Sequence, residues 1–221
     1  MNIARYIDHT ALSADTTIAK INQLCQEAIS HHFWSVCINP AYISLAKSLL
    51  KDTDVKVCTV IGFPLGANMP EVKAYETKLA IDAGTDEVDM VVNIGWVKSG
   101  LWEEVKQDIS LVFQACDQTP LKVIFETCLL TDDEIIKLSK ICSEIGVAFV
   151  KTSTGFSHNG ATIEAVTIMQ QHVSENVKIK ASGGVRSKET AEQMIKAGAS
   201  RLGTSSGVAI VTGMATPNSQ Y

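Results

Sequence analysis

No apolar stretch in these 221 residues approaches the roughly 20 needed to cross a bilayer. Lysine and arginine are scattered without a basic stripe or tail, and the net charge is -5, which argues against a nucleic-acid surface. The start of the chain, Met1-Asn2-Ile3-Ala4-Arg5, lacks an apolar signal core, so a cytoplasmic protein is expected. No pair of the six cysteines has the CxxC or CxxH spacing of a metal site. Cys25, Cys116, Cys128 and Cys142 sit in or beside apolar helical or strand segments, while Cys37 and Cys58 lie inside strand-like runs. All six read as reduced thiols. The five histidines, His9, His31, His32, His158 and His172, do not gather at strand ends, and neither a metal nor another cofactor is expected. There is also no linker, low-complexity segment or domain boundary, so residues 1–221 are expected to form one domain with 213–221 as a loose tail.

What is present is ordinary for a globular chain, with 46% hydrophobic and 19% charged residues. Its order is less ordinary. Eight short runs rich in Val, Ile and Phe read as strands at 5–9, 34–38, 55–61, 87–93, 121–126, 147–151, 177–181 and 200–203. Helical segments with apolar stripes fall between them at 15–30, 70–83, 101–115, 131–145, 159–172 and 187–197. The first should bury Ile18, Ile21, Cys25 and Ile29 on one face. Thr131 with Glu134 has the form of a capping box, and Ser187 starts a weaker one. Three helices run into a glycine and then at once into a strand, at Gly84, Gly146 and Gly198, where a left-handed residue would stop the helix. The repeat averages about 28 residues, the βα unit of an eight-stranded TIM barrel. An open doubly wound sheet would place a glycine-rich loop after its first strand, and Asp8-His9-Thr10 leads into none.

In such a barrel, charged side chains at the C-terminal ends of strands converge at the mouth. They are Asp8, Asp89, Glu126, Lys151 and Lys180. A strand is a costly place for an ammonium group unless its chemistry uses it. Lys151 is followed by Thr152-Ser153-Thr154-Gly155, a compact polar wall that suits a small hydroxylated substrate, and it is the expected nucleophile. Lys180 supplies a second positive charge, which disfavours protonation of Lys151. On residue pattern alone either lysine could carry an imine. Asp89 is the expected general acid and base, and Asp8 would orient Lys180 by a charge-assisted hydrogen bond. His9 should face the other side of its strand as a packing residue. Glu126 either holds a lysine or caps its loop. Lys122, Glu87 and Lys178 share the parity of these groups but lie at the opposite strand ends, where they are expected to form stabilising ion pairs at the barrel floor.

A second signal is an anion cradle. Gly183-Gly184 follows the seventh strand, and Gly203-Thr204-Ser205-Ser206-Gly207 follows the eighth and opens a short helix. The loop 62–66, Gly-Phe-Pro-Leu-Gly, is expected to form another rim.

Taken together, Ile7-Asp8-His9-Thr10, the run from Val57 to Gly66, Glu87-Val88-Asp89-Met90-Val91-Val92-Asn93, the run from Phe149 to Phe156, Lys180-Ala181-Ser182-Gly183-Gly184-Val185-Arg186 and the closing Gly-Thr-Ser-Ser-Gly resemble the deoxyribose-phosphate aldolases. The likeness runs from Tyr6 to Gly207 or beyond. It implies a metal-free class I aldolase on a TIM barrel that joins acetaldehyde and D-glyceraldehyde 3-phosphate into 2-deoxy-D-ribose 5-phosphate. It assigns the imine to Lys151, activation to Lys180 and proton relay to Asp89. It places phosphate contacts around Gly183, Gly184, Ser205 and Ser206, and the residue pattern adds Thr154, Gly155 and Gly203 to the expected binding wall. Cys37 matches a cysteine near the pocket that reactive aldehyde products attack in relatives. The resemblance also carries a tail tyrosine that reaches the site in some members onto Tyr221, with Met214 and Pro217 as alternative anchors against the wall. It implies a homodimer as well, although no surface pattern in the chain fixes an interface. The competing readings are a phosphosugar isomerase, epimerase or transaldolase-like enzyme on the same scaffold, and a non-catalytic binding protein that keeps only the cradle.

Overall fold

The computed structural model describes residues 2–213. Met214, Pro217 and Tyr221 lie outside the described residues, and with them the expectations placed on the tail. Eight parallel strands, each paired with the next and the last with the first, close into a barrel. They are β1 (Ile7–Ala11), β2 (Ser35–Ile38), β3 (Lys56–Ile61), β4 (Glu87–Val91), β5 (Leu121–Ile124), β6 (Phe149–Lys151), β7 (Lys178–Ser182) and β8 (Arg201–Thr204). The helices around them are α1 (Ile18–Ser30), α2 (Ile43–Leu49), α3 (Pro70–Asp82), α4 (Ile94–Lys98), α5 (Trp102–Cys116), α6 (Asp132–Ile145), α7 (Ile163–His172), α8 (Lys188–Lys196) and α9 (Gly207–Thr212). The TIM barrel expected from the strand count is the observed architecture.

Its punctuation follows local chemistry. Thr131 and Glu134 form the reciprocal capping box at the start of α6, and Gly146 ends that helix at φ 87°. Thr17, Thr162 and Ser187 each accept a backbone N–H at the starts of α1, α7 and α8. Those caps move two helix starts away from their expected positions: α1 begins at Ile18 rather than at 15, and α7 at Ile163 rather than at 159. Ile18 is consequently exposed in the first turn, and the buried face of α1 is Ile21, Leu24, Cys25 and Ala28. The first strand also shifts. A 3-10 turn occupies Ile3–Tyr6, and β1 starts at Ile7, because Arg5 turns outward to Asp54 at 2.8 Å and stacks over Trp34.

The strand period separates two interiors. Residues of one parity, among them Ile7, Val36, Val57, Met90, Val123, Val150, Ile179 and Leu202, join the apolar core between sheet and helices. Those of the other parity point into the barrel, and most of them are charged or polar. Within the barrel the apolar filling includes a small cluster of Leu12, Cys37, Cys58 and Val60, with Phe63 against it, and the inward-facing Val91, Ile124 and Phe149. A charged lumen is expensive unless every charge is met, which makes the lumen the place to look for chemistry.

Candidate active site

The inward charges close on themselves. Arg201 bridges Glu87 and Asp8 at 2.9 Å each. Asp8 takes Lys180 at 2.5 Å, and Lys180 reaches Asp89 Oδ2 at 2.8 Å. Asp89 Oδ1 takes Lys122 at 2.8 Å, and Lys122 returns to Glu87 at 2.7 Å. Three cations and three anions thus alternate around a ring that is neutral as a whole. Lys151 is added to it from β6, with Nζ 2.8 Å from Asp89 Oδ2, the same oxygen that Lys180 holds. Ser35 donates to Asp8 Oδ1, the oxygen that Arg201 also holds, at 2.7 Å.

This arrangement fixes the charge states. Burial by itself would raise the pKa of Asp89, but Lys122, Lys151 and Lys180 prevail and hold it well below the usual carboxylate range. Burial likewise opposes ionisation of Asp8, and Lys180 and Arg201 outweigh it. Lys180 pays a burial penalty too, yet Asp8 and Asp89 keep its ammonium form favoured beyond the ordinary lysine range. Lys122 behaves in the same way between Asp89, Cys58 and Glu87. The site at rest is therefore one ionised carboxylate oxygen between two amines on neighbouring strands. The lysines also occupy the carboxylate positions that a cation would need, which argues against metal binding at the two groups of Cys, Asp and Glu side chains in the lumen.

Asp8, Asp89, Lys151 and Lys180 are brought together as expected. The floor pair of Lys122 and Glu87 also exists, but one expectation about it needs correction. Lys122 is not confined to the floor: it bonds Asp89 directly and joins the floor to the mouth. Lys178 stays out of the ring, exposed and above the Phe149 face at 5.9 Å. His9 faces outward and packs on Phe33, where it bonds Glu27 at 2.7 Å. Sequence reasoning missed Arg201, Ser35 and Cys58. Each has the inward parity of its strand, and that parity was the available signal.

Glu126 occupies a left-handed conformation at φ 58°. Its carboxylate accepts a very short hydrogen bond from Thr154 Oγ1 and another from the Thr154 amide at 3.2 Å. Burial raises its pKa against those two bonds. Glu126 thus holds the loop after Lys151 in place, and it makes no ion pair with a lysine. Ser153, on the lumen side next to Lys151, has a buried hydroxyl with no hydrogen-bond partner among the described residues.

The cradle forms beyond Lys180. Gly155, Gly183, Gly184, Gly203 and Ser205 line a cavity of about 60 Å³ with Val185, Arg186 and Thr204. Gly183 and Gly184 have φ of 78° and 77°, and a Cβ on Gly183 would come within 2.9 Å of Gly160 Cα, so glycine is needed there. Gly203 leaves room for Lys180, whose Cε would be 3.1 Å from a Cβ at that position. Thr154 and Ser206 lie beside this wall: Thr154 is engaged by Glu126, and Ser206 precedes α9. Arg186 is the cation that sequence reasoning omitted. Across the mouth, Phe63 from the loop after β3 meets Phe156 edge-on at 5.2 Å.

Buried lysines around one aspartate, with a glycine-lined cavity next to them, describe a carbonyl-handling centre, and comparison with known proteins agrees. Residues 3–216 match the model of the DeoC/LacD family aldolases. The chain belongs to that family. A deoxyribose-phosphate aldolase of Histophilus somni strain 2336 is 59% identical over 220 residues, covering 100% of this chain and 98% of the relative. A deoxyribose-phosphate aldolase of Mannheimia succiniciproducens is 57% identical over 219 residues, covering 99% and 98%. Among solved structures, the tetrameric deoxyribose phosphate aldolase of Aeropyrum pernix superposes with a TM-score of 0.85 at 32% identity, covering 95% of this DeoC/LacD chain and 89% of that one.

Proposed function

We propose that this barrel acts as one domain over 1–221 and reversibly cleaves 2-deoxy-D-ribose 5-phosphate to D-glyceraldehyde 3-phosphate and acetaldehyde through an imine on Lys151. The supporting observation is that Lys151 and Lys180 both bind Oδ2 of Asp89 at 2.8 Å inside the barrel. A proton leaving one amine has a carboxylate oxygen at hand that also touches the other.

The neutral amine of Lys151 attacks C1 of the open-chain sugar, and loss of water gives an iminium ion. That cation accepts the electron pair of the C2–C3 bond as it breaks, while a base takes the proton of the C3 hydroxyl. Glyceraldehyde 3-phosphate departs and leaves an enamine. Protonation of the enamine at its terminal carbon and hydrolysis of the imine release acetaldehyde and restore Lys151. Asp89 and Lys180 handle these proton transfers, and Asp8 fixes Lys180. Phosphate bound at the glycines beyond β7 and β8 orients the sugar at a distance from the bond that breaks.

Lys122 is a third buried amine near Asp89, but two carboxylates hold it and its side chain is fully buried, whereas Lys151 bonds one carboxylate and reaches the mouth. Borohydride reduction in the presence of acetaldehyde should trap a single adduct on the peptide carrying Lys151. A label on Lys180 or Lys122 would move the imine to that residue. Arg186→Met should raise KM for the sugar phosphate by about tenfold or more and change kcat much less, the pattern of lost uniform binding. An unchanged KM would remove Arg186 from the phosphate site.

A homodimer is the proposed assembly. Met69, Val72, Tyr75 and Leu79 of α3 and its approach are exposed, giving one apolar helix edge for a second copy.

A further inference from the structure

Two of the buried thiols face each other. Cys37 on β2 lies directly opposite Cys58 on β3 in the parallel register. Both point into the lumen, both are fully buried, and they belong to the same small packed cluster. Opposed residues on adjacent strands stand about 4.8 Å apart. That separation falls inside the Cα range of an unstrained disulfide, so a bridge here needs no movement of the sheet.

Their setting is not that of the other cysteines. Leu12, Val60 and Phe63 cover one side of the pair. On the other side, Cys58 Sγ lies 3.1 Å from Asp89 Oδ1 and 3.3 Å from Lys122 Nζ. The neighbouring Cys58 thiol lowers the pKa of Cys37 despite its burial, and the Lys180 and Lys151 cations add to that effect. By contrast, burial pushes the Cys25 thiol up to about 11 and, against the opposing Lys122 cation, that of Cys116 up to about 12, which leaves them inert. Cys37 is thus set up as the attacking sulfur and Cys58 as the resolving one.

We propose that Cys37 and Cys58 are a peroxide-sensitive dithiol whose oxidation to an intramolecular disulfide disables the adjoining lysine–aspartate centre. The Cys37 thiolate attacks one oxygen of hydrogen peroxide, the O–O bond breaks, and Cys37 sulfenic acid forms as hydroxide leaves and takes a proton to become water. The Cys58 sulfur then attacks the Cys37 sulfur, and the displaced hydroxyl leaves with the Cys58 proton as a second water. Two electrons pass from the thiols to the peroxide. The closed bridge has no S–H to donate to Asp89 Oδ1, and it draws the sulfur out of its place beside Lys122. The effect on turnover rests on the aldolase reading above; formation of the bridge does not.

The test treats the intact protein with dilute hydrogen peroxide, quenches with catalase, alkylates the unfolded chain without reductant and reads mass and activity together. The expected result is four alkyl groups in place of six on a chain otherwise about 2 Da lighter, a cross-linked peptide pair carrying Cys37 and Cys58, and a fall in turnover of about tenfold that dithiothreitol reverses. Cys37→Ser and Cys58→Ser, each compared with its own untreated sample, should show neither the cross-link nor a reversible loss. Full alkylation of both thiols after peroxide in the parent protein would overturn the bridge, as would a gain of oxygen that dithiothreitol does not remove. A bridge formed with turnover unchanged would overturn control of the centre. A parent protein inert toward the sugar phosphate before any oxidation would defeat the aldolase reading, while the mass measurement would still decide the bridge.

Discussion

Replacing Lys151 by alanine is expected to lower kcat for deoxyribose phosphate cleavage by about a thousandfold or more, at least about 4 kcal/mol of barrier, with the fold intact. The size follows from the role, since without the amine no iminium forms and the C2–C3 electrons have no acceptor. The intact fold follows from charge. Lys151 is attached to a ring that is already neutral, so its removal strands no buried ion: Asp89 keeps Lys122 and Lys180. Lys180→Met is a different experiment. It deprives both Asp8 and Asp89 of their shared partner, and it should cost stability as well as turnover. A melting temperature close to the parent's for Lys151→Ala and a clearly lower one for Lys180→Met would match this account. Cleavage within tenfold of the parent by Lys151→Ala would end it.

Lys73→Met should destabilise the protein by about 3–5 kcal/mol, although Lys73 lies outside the ring of lumen charges. Its ammonium group is wholly buried between α3 and α5, 2.7 Å from Asp108 and 2.9 Å from the carbonyl of Val91. Burial lowers the pKa of Lys73 and raises that of Asp108, and each is the main group that opposes burial and favours the other's charged form. Removal of the lysine leaves a buried carboxylate whose second oxygen already has no partner among the described residues. The double change Lys73→Met, Asp108→Leu should regain most of the loss, because well-packed apolar side chains often match a buried ion pair. Urea denaturation of the two single variants and the double variant checks this. Equal losses that simply add would show that the pair is not coupled. Since Val91 follows Asp89 by two residues on β4, the pair also anchors the catalytic strand from outside the barrel.

Much of this was legible in the chain. Strand count, helix-stopping glycines and the Thr131 box gave the barrel, because each is a local signal repeated at a fixed interval. Lys151, Asp89, Lys180 and Asp8 could be collected because strand ends converge in that fold. The first strand was misplaced since the alternation of Arg5-Tyr6-Ile7 reads equally well as a strand; the outward pull of Asp54 on Arg5 comes from a residue 49 positions away. The short helices α2 and α4 carry too few turns to show a period. Arg201 lies within the expected eighth strand, but only closure of β8 onto β1 shows that it neutralises Asp8. The link from Lys122 to Asp89 was hidden for a related reason: parity gives the direction of a side chain, but not how far a long one climbs.

The alternating ring in the lumen also constrains how such a protein can change. Any single substitution that alters the sign of one member leaves an unmatched ion inside a closed sheet, whereas a concerted exchange of neighbours keeps the sum at zero. Variation inside this barrel should therefore come in couples, and an engineer seeking a new acceptor would do better to work on the loops at the rim, where water can absorb the imbalance.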